Sequence, residues 1–164
     1  MGRIVHASDR ACVQAIQNAP LALTTVLSDV TFNTTPIETD PATIEHDNVS
    51  TDNIVVKRVG LVTISYSFNL AAITVTNSTA LISCRVRRND AGGAIDGSVR
   101  LFTDFDDNSL EGNDLQSGIS HSFAAEAAEG DFFTLQLAYT AVSANDPTPT
   151  ANSPILFGVV AHFN

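Results

Sequence analysis

Oxygen-bearing side chains crowd one stretch of this chain, Asp104-Phe105-Asp106-Asp107-Asn108-Ser109-Leu110-Glu111-Gly112-Asn113-Asp114. Carboxylate and amide oxygens at Asp104, Asp106 and Asn108 are spaced as calcium, a hard oxygen-seeking cation, prefers. Ser109 stands where an EF-hand loop needs Gly, and Leu115 where it needs a bidentate Glu. A solvated acidic loop is the competing reading, and no cofactor other than calcium is expected. The four histidines, His6, His46, His121 and His162, show no metal-ligand spacing. Gly118-Ile119-Ser120-His121-Ser122 lacks the final Gly of a nucleophile elbow and its strand–turn–helix setting. A Ser beside a His in a strand points to the opposite face, so the chain is not expected to be an enzyme. Cys84 shares a strand face with Ile82 and Val86, which suits a buried free thiol; a Cys12–Cys84 disulfide is the alternative.

Charge narrows the partners. The net charge is -10. Nucleic-acid affinity comes mainly from Lys and Arg meeting phosphates, so no nucleic-acid partner is expected. Every Lys or Arg lies at Arg3, Arg10 or between Lys57 and Arg100, and no basic side chain follows Leu101. Arg85, Arg87 and Arg88 are the densest basic group. They would pair with the acidic C-terminal region, within or between protomers, or meet an acidic partner. No apolar run approaches the roughly 20 residues of a membrane span, so no membrane partner is expected. Met1-Gly2-Arg3-Ile4-Val5-His6 has no apolar core like that of a signal peptide.

These residues must be positioned by strands. With 164 residues the chain suits one domain that buries roughly 70% of its unfolded surface. Strict alternation puts Val62, Ile64, Tyr66, Phe68 and Leu70 on one face of a strand. Further strands are read at Leu21–Phe32, Asn53–Val59, Ala80–Arg88, Ala94–Phe105, Ser117–Ala127, Phe132–Val142 and Ile155–Phe163, with a long connection from Thr34 to Asp52 that holds at most a short strand near Ile44. Residues 1–20 stand apart. Ala7, Ala11, Ala15 and Ala19 recur every four positions and Pro20 follows, which predicts a short helix or arm. The expected division is an arm at 1–20 and a β domain at 21–164. The arm offers Ile4, Val5, Val13 and Ile16 to a partner.

The last strand is apolar on both faces: Ile155, Phe157, Val159, Ala161 and Phe163 one way, Leu156, Gly158, Val160 and His162 the other. An antiparallel strand with one solvated face alternates with polar residues. This strand should therefore be covered twice, by the core and by a neighbouring subunit.

Four motifs then fall in order. Gly60-Leu61 opens an alternating strand, and Arg87-Arg88-Asn89-Asp90 ends one. Glu129-Gly130-Asp131 precedes a third, and Ser153-Pro154-Ile155-Leu156-Phe157-Gly158 closes the chain. Their succession resembles the tumour necrosis factor-like family, which includes the globular heads of complement-type proteins. Val62 departs from that family's usual aromatic. The resemblance spans Leu21 to Asn164. It implies an all-β antiparallel jelly-roll sandwich of about ten strands, and a homotrimer with first, middle and last strands about the threefold axis. On that reading Tyr66, Phe123, Ile155, Phe157, Val159 and His162 line the trimer interface. His121 and His162 read first as packed or exposed strand residues, with a pH-sensitive interface as the alternative.

Trimeric jelly rolls also occur on bacteriophage particles. The expected function is a structural virion protein, a capsid decoration or cement protein bound to the major capsid protein or another virion protein. Its place would be the capsid surface, after synthesis in the host cytoplasm. A receptor- or glycan-binding fibre head, or a secreted ligand-like domain, is the alternative.

Overall fold

The structure is a computed structural model in which residues 10–71, 79–89, 94–95, 98–105, 118–141 and 148–162 are described. Those residues form strands and no helix. In chain order they are β1 (Arg10–Gln17), β2 (Leu21–Ala22), β3 (Ser28–Asp29), β4 (Thr34–Glu38), β5 (Ile44–His46) and β6 (Asn53–Val56). Then come β7 (Gly60–Leu70), β8 (Thr79–Arg88), β9 (Arg100–Phe105), β10 (Gly118–Ala127), β11 (Phe132–Ala141) and β12 (Thr150–His162). One sheet runs β10-β7-β12-β1-β4 with β2 attached to β12. The other runs β5-β6-β11-β8-β9 with β3 attached to β11. Neighbouring strands are antiparallel, as in a jelly-roll sandwich.

Alternation built the core. From the first sheet Val62, Ile64, Tyr66, Phe68, Val159, Phe157 and Val13 point inward. From the second come Ile54, Ile82, Cys84, Val86, Phe133 and Leu135. Phe32 stacks on Phe157 with ring centres 5.6 Å apart. Two polar threads cross this apolar interior. The Tyr66 hydroxyl donates to the Ser98 carbonyl at 3.2 Å. The Ser98 hydroxyl accepts from the Val86 N–H and donates to its carbonyl. Together they tie the connection before β9 to both sheets. Burial raises the Tyr66 phenol well above its ordinary pKa, and it pushes the Cys84 thiol up to about 12.

The helix expected in residues 1–20 is not formed where the chain is described. Residues 10–17 are β1, paired along their whole length with β12, from Arg10↔His162 to Gln17↔Ile155. A spacing of four suits both periods: it is near one helical turn, and it is also twice the strand repeat. Ala11, Val13 and Ala15 all turn inward. The β-branched Val13 and Ile16 favour the pleated form. Val13 is therefore a core residue, not an arm contact. Ile16 is half-buried on the outward face of β1, and Ile4 and Val5 lie outside the described residues. The boundary at residue 20 cuts a strand away from the sheet that contains it.

Three further elements differ from their sequence reading. Leu21–Phe32 yields only β2 and β3, because much of it bridges the two sheets. The connection at 34–52 holds β5, the short strand expected near Ile44, and in addition β4. These two strands close one flank of the sandwich through His46. Its Nε2 donates to the Thr51 carbonyl at 2.9 Å, so its Nδ1 accepts from the Thr35 hydroxyl at 2.6 Å. Finally β12 begins at Thr150, with a register shift against β7 between Asn152 and Leu156.

Candidate interaction surface

The outer face of the first sheet is the surface in which the chain's unusual residues meet. Register assembles it in rows. At one level lie Arg10, His162, Leu61 and Glu126, on β1, β12, β7 and β10. The next row is Cys12, Val160, Thr63 and Ala124. Then come Gln14, Gly158, Ser65 and Ser122, followed by Ile16, Leu156, Ser67 and Ser120. Among the outward positions of these four strands, Arg10 and Glu126 are the only formal charges. The rest are small, hydroxylated or aliphatic. The side chains of Cys12, Gln14, Leu156 and Val160 are half-buried, and Leu61 is 49% exposed.

A shallow depression of about 450 Å³ lies in this face, lined by Gln14, Ser65, Ser67, Ser120, Ser122, Leu156 and Gly158, together with Tyr66 and His121. A Cβ on Gly158 would come within 3.2 Å of Ser65 Oγ and 3.7 Å of the Val13 carbonyl. The glycine thus leaves room for the Ser65 hydroxyl in the floor of the depression. A low, nearly uncharged floor of this kind suits contact with another protein surface.

The outer face of the second sheet is built differently. Asp29 accepts from the Arg87 guanidinium at 3.1 Å and from the Gln136 amide at 2.6 Å. Gln136 in turn accepts from Arg85 Nε at 2.7 Å. Lys57 pairs with Glu45 at 2.6 Å. The basic cluster is thus held within the chain. Arg88 lies 3.8 Å from Asp131 and donates to the Glu126 carbonyl at 2.6 Å. Arg88 and Asp131 realise the pairing expected between the middle and the C-terminal region, whereas Arg87 finds Asp29 instead.

Two of the recognised motifs lock to each other at one end of the sandwich. Asn89 adopts φ 52°, and its amide donates to Asp131 at 2.9 Å while accepting the Phe132 N–H. Asp131 also accepts from the Ala128 N–H. Gly130 takes φ 88°, a conformation that side chains resist. The Asn and Gly-Asp positions are thus two halves of one turn assembly.

The residues expected at a trimer interface separate into two groups. Ile155, Phe157, Val159 and Tyr66 are turned into the core of the single chain and cannot meet a neighbour. Alternation had assigned β12 two apolar faces correctly, but the outward one holds Leu156, Gly158, Val160 and His162. Only register with β1 and β7 tells which face is which. His162 is on the outward face. Phe123 is core-facing yet half-buried, because β10 and β9 are the last strands of their sheets on that flank. His121 stacks on Phe123 at 5.6 Å and meets the Tyr66 ring edge-on at 5.7 Å. The outward residues Gln14 and Ser65 were not singled out in the sequence, and Cys12 and Ser122 were weighed only for a disulfide and a nucleophile elbow, since each is ordinary as a surface residue until the sheet aligns them.

Of the calcium candidates, Asp104 lies in β9, opposite Ala80, while Asp106 and Asn108 fall outside the described residues. Among the described residues no group of three or more His, Cys, Asp or Glu could hold a metal ion. Both cysteines are free thiols, Cys84 buried and Cys12 half-buried.

No family model matches the chain, and no curated protein matches it. Solved structures do. A crystal structure of murine APRIL at pH 8.0 superposes with a TM-score of 0.56 at 11% identity, covering 93% of this chain and 98% of that one. A second, at pH 8.5, gives 0.57 at 10% identity over the same shares. At such identity the likeness is one of fold, and the fold of this chain is the tumour necrosis factor-like jelly roll.

Proposed function

We propose that this chain is a homotrimeric, non-enzymatic assembly and recognition module whose protomers turn the outer face of the first sheet toward one another. The observation that carries this reading is the contrast in charge. Four adjacent strands present Cys12, Val160, Thr63, Ala124, Gly158, Ser65, Ser122 and Leu156 outward with formal charges only at one end. In a chain of net charge -10 such a surface is the one that can be desolvated at least cost. Apolar burial then drives association.

The finer role is decoration of a bacteriophage head, in which trimers bind the capsid exterior through the major capsid protein or another virion protein. What supports it is the fold together with a Thr- and Asn-rich, charge-poor composition. The clamp is not β1, because deleting residues 2–18 would remove a strand from the sheet. A fibre-tip recognition head is separated from decoration by copy number: hundreds of copies per virion indicate decoration, a few trimers a fibre tip.

Two measurements test the trimer. Light scattering should give about three times 17.3 kDa. Under native conditions a maleimide should label Cys12 in dissociated protomers but not in the trimer. A monomer at high concentration, with Cys12 fully reactive, would overturn the proposal.

A further inference from the structure

The two formal charges on the outer face of the first sheet lie in a single row and have opposite signs. Arg10 pairs with His162, His162 with Leu61, and Leu61 with Glu126, so the cation and the anion are three strand spacings apart. That is about 14 Å, too far for an ion pair within one chain. Neither side chain has an ion-pair partner among the described residues. Both are exposed, and each marks an opposite margin of the face. Among the described residues β10 is the last strand on its side. On the other side β4 ends at Glu38, opposite Val13, and does not reach the level of Arg10.

From this placement we infer that Arg10 of one protomer and Glu126 of the next form an ion pair that sets the register of the assembly; the inference rests on the trimer reading above. Three like faces around an axis meet margin to margin, so the β10 side of each copy adjoins the β1 side of its neighbour. Rotation about an axis along the strands leaves height unchanged. Residues in one row of one copy therefore face residues of the same row in the next. Arg10 and Glu126 then meet three times around the ring, with His162 and Leu61 between them on the inner wall. A copy that is inverted or slid along the axis would place Arg10 against uncharged residues, so the pair also selects against wrong arrangements.

Charge reversal tests the pair. Arg10→Glu and Glu126→Arg should each weaken the trimer about tenfold or more at low salt, since like charges would then face each other at every junction. The double variant should return to the wild-type dissociation constant, and the differences should shrink at high salt. Melting of each protomer, followed under dissociating conditions, should be unchanged, because both positions are exposed. Single variants that remain as trimeric as wild type would overturn the ion pair and leave the trimer standing. A double variant as weak as the singles would also overturn it. A wild-type chain that is monomeric throughout removes both readings.

Discussion

The two outer faces of this sandwich have the same backbone geometry and opposite surface chemistry. On the second sheet, Asp29, Arg87, Gln136 and Arg85 form a continuous hydrogen-bonded ladder in which the Asp29 carboxylate meets the Arg87 guanidinium and the Gln136 amide links Asp29 to Arg85. On the first sheet the equivalent positions hold serines, a glycine, a valine, a leucine and a thiol, and the two charges present have no ion-pair partner among the described residues. A face that satisfies itself is stable in water. A face of small, nearly uncharged residues, with two charges at its margins, costs less to desolvate against another surface. The lesson is that burial fraction alone does not mark an interface; the state of the polar groups around it does.

The comparison can be broken by substitution. The largest effect should come from the inward side of the same strand. Phe157→Ala should cost about 3–5 kcal/mol of protomer stability in a denaturant titration, because Phe157 is fully buried and stacked on Phe32. If it dissociated the trimer without lowering protomer stability, the assignment of faces on β12 would be inverted. Next, Val160→Glu should weaken the trimer about a hundredfold by placing a charge in the uncharged floor. Leu101→Asp, on the exposed outer side of the second sheet, should leave the mass unchanged. Equal loss at both positions would abolish the distinction between the faces.

A smaller effect sharpens the other side. Asp29→Ala removes the acceptor used by Gln136 and Arg87 and should cost about 1–3 kcal/mol of stability, with no change in oligomeric mass. The smallest effect is alkaline. The native protein holds the Cys84 proton up to about 12, whereas the ordinary thiol value is 9.0. Between those values the unfolded chain has released a proton that the folded chain keeps, so stability falls as pH rises. Cys84→Ala should flatten that decline, read as the slope of unfolding free energy against pH. An unchanged slope would place the alkaline loss on another group.

Much of the fold was legible because alternation is a local signal. The inward series Val62, Ile64, Tyr66, Phe68 and Leu70, and the series Phe133, Leu135 and Leu137, required only a period of two. The motif order from Gly60 to Gly158 carried the topology. β1 was misread because alanines at intervals of four satisfy helix and strand alike, and only pairing with β12 decides between them. The surface was half legible. The sequence marked β12 as covered on both sides, but a single strand does not say which face meets the core.

What the sequence alone determined is therefore the class of the protein: an antiparallel β sandwich with a buried thiol, a last strand apolar on both faces and a net negative charge. Tertiary structure decided the rest. It turned Ile155, Phe157 and Val159 inward, aligned Cys12, Val160, Thr63 and Ala124 into one row, and set Arg10 level with Glu126. The physical reason is that side-chain alternation is encoded within each strand, whereas register between strands is fixed only when distant segments pair and one face of each is drawn from water.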